Sequence, residues 1–390
     1  MDQISIQKGR IVTLEEGNGL EKIIDKVQAP VAAVVVMACN RANYLERALK
    51  SILKYQSSVP SKYPLFVSQD GEDPDVKTKA LSYNQLTYMQ HLDHEPVHTE
   101  SPKEMIVYYK IARHYKWALD QLFYKHNFSR VIILEDDMEI SPDFFDYFEA
   151  AVALLESDKS IMAVSSWNDN GQKQFVQDPY MLYRSDFFPG LGWMLAKSTW
   201  DELSPKWTKA YPCGVLSHSL LFILAYYFNA SLLNIFFDIS LRKLKYLWFP
   251  DNLACFCLTL ISLQGSSLGQ YFKQYLEPIK LNGVQVDWKS MDLNYLMEDK
   301  YVKHFADMVK NARPVCGTDD VLKECNIDCD VRIQYKDKTD FEHIAHQFGI
   351  FEEWKHDVPR TAYKGVVVFR YQSPKRVFLV GPESLQHLGI

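Results

Sequence analysis

Apolar residues along this chain follow two rhythms, and the rhythms alternate. Unbroken runs such as Val31 to Met37 and Val131 to Leu134 read as strands buried on both faces. "YPLFVSQDGED" and "IMAVSSW" are read as further strands. Between them the spacing turns helical. Leu45, Leu49, Ile52 and Leu53 share one face around "NYLERALKSILKY". Ile111, Tyr115, Ala118, Leu119 and Leu122 do the same around "YYKIARHYKWALDQLFYKH". A third helix is expected at "SPDFFDYFEAAVALLE", with Ser141 as N-cap and Pro142 at its first position. Strands alternating with helices predict an α/β fold around a mostly parallel, Rossmann-like sheet.

From about Asp287 the texture changes. "VRIQYKD", "GVVVFRYQ" and "RVFLVGP" read as strands of a smaller α+β unit, with a helix at "DFEHIAHQFGIFEEW". The expected organisation is a polar lead-in over 1–28, a larger unit over 29–264, a linker over 265–277 and a second unit over 278–390. No repeat or low-complexity tract interrupts it.

A net charge of -6 supplies no basic footprint for nucleic acid. Aromatic residues make up 14% of the chain, enough for sugar-stacking faces, although core packing accounts for most of them. The seven cysteines show neither a disulfide framework nor paired zinc spacing. The first residues lack the apolar core of a signal peptide or anchor.

The chemistry concentrates in "RVIILEDDMEI". Four oily residues run into Glu135, Asp136 and Asp137, which places three acids where a core strand emerges. In open α/β sheets ligands bind just beyond the carboxyl ends of strands. Strand alternation sets Glu135 and Asp137 on one side and Asp136 on the other. Carboxylates this close repel unless a cation lies between them and a substrate, and a hard divalent ion with phosphate co-ligands suits them. The alternative is a solvated acidic cap leading into the next helix. A haloacid-dehalogenase phosphatase nucleophile fits poorly, because Glu135 stands where that motif needs its first Asp.

"ACNR", "SQDG", "YYKIARHYKWALDQ", "EDDMEISPDFFDYFEA", "SSWNDNGQ", "YRSDFFPGLGWML", "GSSLGQYF", "YLEPIKLN" and "DVPRTAYKG" occur in this order. Together they resemble N-acetylglucosaminyltransferase I of the plant type over roughly residues 29–211 and 265–390. The resemblance implies a GT-A fold, a Rossmann-like nucleotide-sugar domain, with a smaller α+β C-terminal domain. It implies a Golgi membrane enzyme, held by an N-terminal anchor and stalk that precede the lead-in. Its reaction is Mn²⁺-dependent, inverting transfer of N-acetylglucosamine from UDP-GlcNAc to the α-1,3-linked mannose of an oligomannose N-glycan, forming a β-1,2 bond. By motif, Asp137 would hold Mn²⁺, and Glu135 and Asp136 would contact the donor's sugar and ribose. Arg41, Asp70 and His114 would surround uridine and diphosphate, Ser267 would contact a donor phosphate, and Leu191 would wall the sugar pocket. Taken singly, Arg41 also reads as a surface charge, His114 as a satisfied helix-face histidine and Asp70 as a turn former before Gly71.

The chain departs from the family over 212–264. The family's catalytic Asp belongs just after "PKWTKAY", yet no Asp, Glu, Lys or Arg occurs among the 26 residues from Pro212 to Phe237. No catalytic base is therefore assigned, and impaired transfer is expected. A non-catalytic derivative that binds UDP-sugar or glycan stays open as the alternative. Translated non-coding sequence is the preferred account of the stretch, with a membrane-active insert or a replaced core segment as competitors. A single membrane span here would part the acidic strand from Ser267, so one donor site could not assemble.

Overall fold

The computed structural model describes residues 29–99, 106–166, 180–188, 191–207, 245–248, 255–257, 286–322, 329–355, 358–371 and 375–390. The first unit begins β1 (Ala33–Ala38), α1 (Ala42–Gln56), β2 (Leu65–Asp70), α2 (Pro74–Leu81), β3 (Leu86–His91) and α3 (Ile106–Asp120). It continues with β4 (Arg130–Glu135), β5 (Met138–Ile140), α4 (Phe144–Ser157), β6 (Ile161–Ser165), β7 (Tyr183–Ser185), β8 (Trp193–Ala196) and α5 (Lys197–Leu203). Strands β9 (Lys245–Trp248) and β10 (Cys255–Cys257) complete it among the described residues.

The main sheet runs β3-β2-β1-β4-β8-β6-β9-β7. The first four strands are parallel, and β8 is antiparallel to both β4 and β6. Alternate residues of β1 and β4 explain their continuous apolar runs. Val34, Val36, Ile132 and Leu134 face a core with α1, α2 and α4, whereas Val35, Val131 and Ile133 face a second core with α3. A strand covered on both faces has no polar side to show. The expected helical faces form as well: Leu45, Leu49 and Ile52 of α1 are buried, as are Tyr115, Ala118 and Leu119 of α3.

One helix starts later than its sequence suggests. Asp143, not Ser141, stands at the cap of α4, and its side chain caps no backbone N–H there. Its carboxylate is committed elsewhere, accepting from Ser141 Oγ at 2.6 Å and from Trp288 Nε1 at 2.9 Å.

The second unit contains α6 (Glu298–Asn311), β11 (Arg313–Val315), α7 (Asp319–Leu322), β12 (Val331–Gln334) and α8 (Lys338–Phe348). The hairpin β13 (Trp354–Lys355) and β14 (Val358–Pro359), then β15 (Val366–Arg370), β16 (Arg376–Val380) and α9 (Ser384–His387), finish it. Its sheet runs β11-β12-β16-β15. The expected helix stops at Phe348 because Gly349 takes a left-handed φ of 72° and caps it. The two units share one apolar core, in which Trp288, Tyr301, Tyr363 and Phe378 join the residues of α4 and β6.

Of the segment 212–264, only β9 and β10 are described. β9 lies between β6 and β7 in the main sheet, and β10 pairs with β5. The remainder of that segment and the 265–277 linker lie outside the described residues. Among those described, no helix is long and apolar enough to cross a membrane.

Candidate functional site

The chain steps outward from β1 to β2 to β3, then returns to β4 on the other side of β1. The loops leaving β1 and β4 therefore diverge, which opens a crevice at the strands' carboxyl ends. Arg41 follows β1 and the acids follow β4, with Met37 and Glu135 neighbours in the register. The topology thus brings the first two groups of candidate residues to one edge.

Side-chain alternation fails where the strand stops. β4 ends at Glu135, and the next two residues form a turn. Consequently Asp136 and Asp137, rather than Glu135 and Asp137, share a partner. The Arg41 guanidinium hydrogen-bonds Asp136 and lies 3.2 Å from Asp137 Oδ2. It also stacks over Tyr44, 4.9 Å from the ring centre. Glu135 keeps the strand's alternation and points toward α3, where Tyr115 Oη donates to it at 2.9 Å.

Asp136 and Asp137 are both buried. Burial pushes the Asp136 carboxyl up to about 7; Arg41 pulls it down, while Asp137 and Glu135 push it further up. For Arg41, burial is opposed by these same acids, and the acids prevail to hold the guanidinium charged. Among the described residues, Arg41 is the cation whose contacts with Asp136 and Asp137 are seen.

A second cluster lies at the ends of β2 and β3. Asp70 and His91, neighbours in the register, are joined at 2.9 Å between Oδ1 and Nδ1. The His91 ring stacks on His114 at 5.5 Å, and His114 Nε2 is hydrogen-bonded to Ser68 Oγ at 2.8 Å. Burial lowers His114 to about 4, against an upward pull from Asp70, so the ring is neutral at pH 7. His114 is thus a satisfied, buried histidine behind Asp70. Between the clusters, burial and then Asp70 and Asp136 raise the Cys39 thiol, so both sets of acids are felt at one point.

Beside Arg41 a cleft of about 560 Å³ opens between α1 and α2, lined in part by Asn43, Tyr44, Asp73, Thr78 and Lys79. That volume suits a small molecule. Leu191 is buried, and its carbonyl accepts from Ser165 Oγ at 3.0 Å. β8 pairs Trp193 with Ile133, where the pairing with β4 ends, and Gly192 just before it takes a left-handed φ of 52°. Ser267 lies outside the described residues.

His91, Ser68 and Tyr115 are supporting residues that sequence reasoning missed as such. Tyr115 was legible only as one member of a helical face, and His91 closes a strand with mixed polarity.

The carboxylate oxygens of Asp136 and Asp137 are hard donors that fit a divalent cation such as Mn²⁺. Among the described residues no cluster of three or more His, Cys, Asp or Glu is arranged to hold a metal alone. A metal that arrives with phosphate oxygens and water needs only one or two protein carboxylates. The residues present fit that kind of site.

A Rossmann-like sheet with charged groups at its switch point defines a nucleotide-binding type of α/β protein. Comparison with known proteins narrows this. The GNT-I family profile matches residues 1–216 and 257–390, and the chain belongs to that family. Alpha-1,3-mannosyl-glycoprotein 2-beta-N-acetylglucosaminyltransferase of Arabidopsis thaliana is 60% identical over 416 aligned positions, spanning 100% of this chain and 87% of the relative. Residues 217–256, which the profile leaves out, fall within the stretch that departs from the family motifs. Among solved structures, a Pyrobaculum calidifontis mannosyltransferase in complex with GDP-Man and Mn²⁺ is 15% identical with a TM-score of 0.38, covering 64% of this chain and 62% of that one. S. aureus TarS in complex with UDP-GlcNAc is 10% identical with a TM-score of 0.35, covering 72% and 67%. Both likenesses are too distant to bear on the chemistry here.

Proposed function

We propose that this chain is a GT-A glycosyltransferase by descent, built to take N-acetylglucosamine from UDP-GlcNAc. Its acceptor would be the α-1,3-linked mannose of an oligomannose N-glycan, on the lumenal side of the Golgi membrane, and the new bond β-1,2. Family membership and the 60% identical relative support the reaction class. The observation that carries the reading is the acidic turn of Asp136 and Asp137 meeting Arg41 at the sheet's switch point.

In this reading Asp137 holds Mn²⁺, which when bound neutralises charge growing on the departing diphosphate. Asp136 and Glu135 take the ribose and the sugar, and Tyr115 keeps Glu135 on the sugar side. Arg41 exchanges part of its contact with the acids for the diphosphate. Asp70, oriented by His91, faces the uridine, with neutral His114 behind it. Leu191 walls the sugar, and Ser267 is assigned to a donor phosphate.

Inverting transfer also needs a base to accept the attacking hydroxyl's proton. The stretch from Pro212 to Phe237 contains no acid, and no other residue is assigned the role. Lack of a general base slows such steps by about 10²–10⁴-fold, roughly 3–5 kcal/mol of barrier. The same stretch favours a second reading, in which the chain binds donor or glycan without transferring.

Calorimetry of UDP-GlcNAc binding, with and without Mn²⁺, tests the site. Binding is expected to depend on Mn²⁺, and Asp137→Ala is expected to weaken it by about 100-fold, or about 2.8 kcal/mol. Equal heats with and without the metal, unchanged by Asp137→Ala, would overturn the assignment. An oligomannose transfer assay on the same sample separates a slow transferase from a binder.

A further inference from the structure

The acidic turn is held at its two ends by different means. At its start Glu135 closes β4, which pairs with β1 in the main sheet. At its end lies β5, which belongs instead to a two-stranded sheet with β10. Hydrogen bonds of the main sheet therefore fix where the turn leaves, and not where it returns.

The side chains of α1 reach the returning end. Arg41, at the cap of that helix, holds Asp136 and Asp137. Arg47 Nη2 donates to Glu139 Oε1 at 3.0 Å. Ser51 is bonded in both directions to the backbone of Ile140. Its Oγ accepts from the Ile140 N–H at 2.9 Å and donates to the Ile140 carbonyl at 3.4 Å. Tyr44, Arg47 and Ser51 stand at i, i+3 and i+7, which is one stripe of one helix. Tyr44 lies against the Arg41 guanidinium, so the same stripe backs all these contacts.

The helix that makes them is itself fixed. Leu45, Leu49 and Ile52 bury the neighbouring stripe in the core that also takes Met138 and Ile140 of β5. Apolar packing alone is non-directional, whereas a hydrogen bond to a backbone N–H specifies one position. Without the polar contacts, β5 would stay buried but lose its fixed place along α1. Asp137 precedes Met138, Glu139 and Ile140 directly in the chain, so any shift of β5 is passed to it.

We propose that Ser51 and Arg47 are positioning residues for the acidic turn, setting Asp137 for a divalent cation and the diphosphate that accompanies it. The inference rests on the donor-binding reading above and deepens it. Neither residue touches the ligand in this reading; each acts through β5. Replacing a residue that orients a metal ligand typically costs about 10–100-fold in metal affinity. Ser51, bonded to the backbone, carries the larger share. Arg47 and Glu139 leave 36% and 33% of their side chains in water, so their ion pair contributes less.

Two probes on the full chain separate the turn from the rest of the site. Calorimetry with UDP in saturating Mn²⁺ reads the turn. Saturation-transfer NMR with uridine, which has no phosphate, reads the nucleoside pocket at Asp70. In Ser51→Ala, UDP affinity is expected to fall about tenfold. In Arg47→Met it is expected to fall about threefold. Uridine affinity is expected to stay within about twofold in both, because Ser51 and Arg47 share no partner with that pocket. Ser51→Thr keeps the hydroxyl and is expected to restore UDP affinity, which a general loosening of the helix would not allow. Should Ser51→Ala not fold, Arg47→Met beside Arg47→Lys supplies the same reading. Unchanged UDP affinity, equal losses for UDP and uridine, or failure of the conservative variant to rescue overturns the positioning role while the donor site stands. A parent chain whose UDP binding ignores Mn²⁺ overturns the donor reading, and this inference falls with it.

Discussion

Two carboxylates buried near a guanidinium, Asp158 and Asp136, are built in opposite ways. Asp158 accepts from Arg184 Nη1 at 2.9 Å, from Ser160 Oγ at 2.5 Å and N–H at 2.9 Å, and from Glu298 N–H at 2.8 Å. Arg184 is wholly buried and also donates to Leu296 O at 2.9 Å. Burial pushes the Asp158 carboxyl up, but Ser160 and Arg184 outweigh it and hold the group below its ordinary range. At Asp136 the balance reverses. Arg41 is 41% exposed at its side chain and is shared with Asp137, and burial leaves the Asp136 carboxyl raised to about 7. A buried pair tied to Leu296 and Glu298 as well as to its own neighbours is a joint between units. A pair that is partly open to water and shared between two acids, at the carboxyl edge of a sheet, is a place where a ligand can enter.

The sharpest way to break this comparison is to remove the cation from each pair. Arg184→Ala leaves Asp158 charged and enclosed, and is expected to cost about 3–5 kcal/mol of stability. Arg41→Ala is expected to cost much less, because Asp136 can take up a proton and Arg41 is partly in water. Denaturant melts of both variants, side by side at pH 7, read the difference. Equal losses would mean that the two pairs have the same structural role.

Acid sharpens the contrast at the histidine cluster. The His114 pKa is lowered from 6.5 to about 4, so the unfolded chain binds more protons than the folded one between those values. The resulting stability is complete above pH 6.5 and is lost as pH falls toward 4. The whole span amounts to about 3 kcal/mol. Asp136 works with the opposite sign, since a raised carboxyl pKa costs stability at neutral pH and returns it as the group protonates below about 7. Asp158, being lowered, loses its contribution only as pH falls below the ordinary carboxylate value of 3.8. Subtracting the melts of His114→Gln from those of the parent chain cancels both acids. The difference is expected to shrink by about 3 kcal/mol from pH 7 to pH 4. A flat difference would show that burial of this ring carries no proton linkage.

How much of this was legible in the sequence follows from where each partner lies. β1 and β4 are apolar on both faces, so their runs announced the centre of the sheet, and the acids after Leu134 announced its ligand edge. α1 displayed a clean apolar stripe. By contrast, β3 alternates between buried and half-exposed positions, and that concealed His91. β7 and β8 are three and four residues long, too short for a period to register. The late start of α4 depends on Trp288, 145 positions away, which no local cap rule includes. The partnership of Asp136 with Asp137 required knowing that β4 stops one residue earlier. Local pattern gave the scaffold, whereas the pairing of charges came from contacts between distant segments.

The smallest effect tests the finest division, that between the sugar and nucleotide ends of the acidic edge. Tyr115 is buried in the core beneath α3, and its hydroxyl donates to Glu135 Oε1 at 2.9 Å. Tyr115→Phe keeps the ring and its packing and removes that one bond. Glu135 is only half-buried, so water can replace part of what is lost. A net cost of about 1 kcal/mol is therefore expected in a thermal melt. If Glu135 serves the sugar, its freedom to swing should weaken UDP-GlcNAc binding by roughly fivefold while leaving UDP unaffected. Calorimetry with both ligands separates the cases. A larger loss for UDP than for UDP-GlcNAc would move Glu135 to the nucleotide side. The acidic turn would then have to supply the sugar contact through Asp136, the carboxylate that burial raises to about 7 against the pull of Arg41.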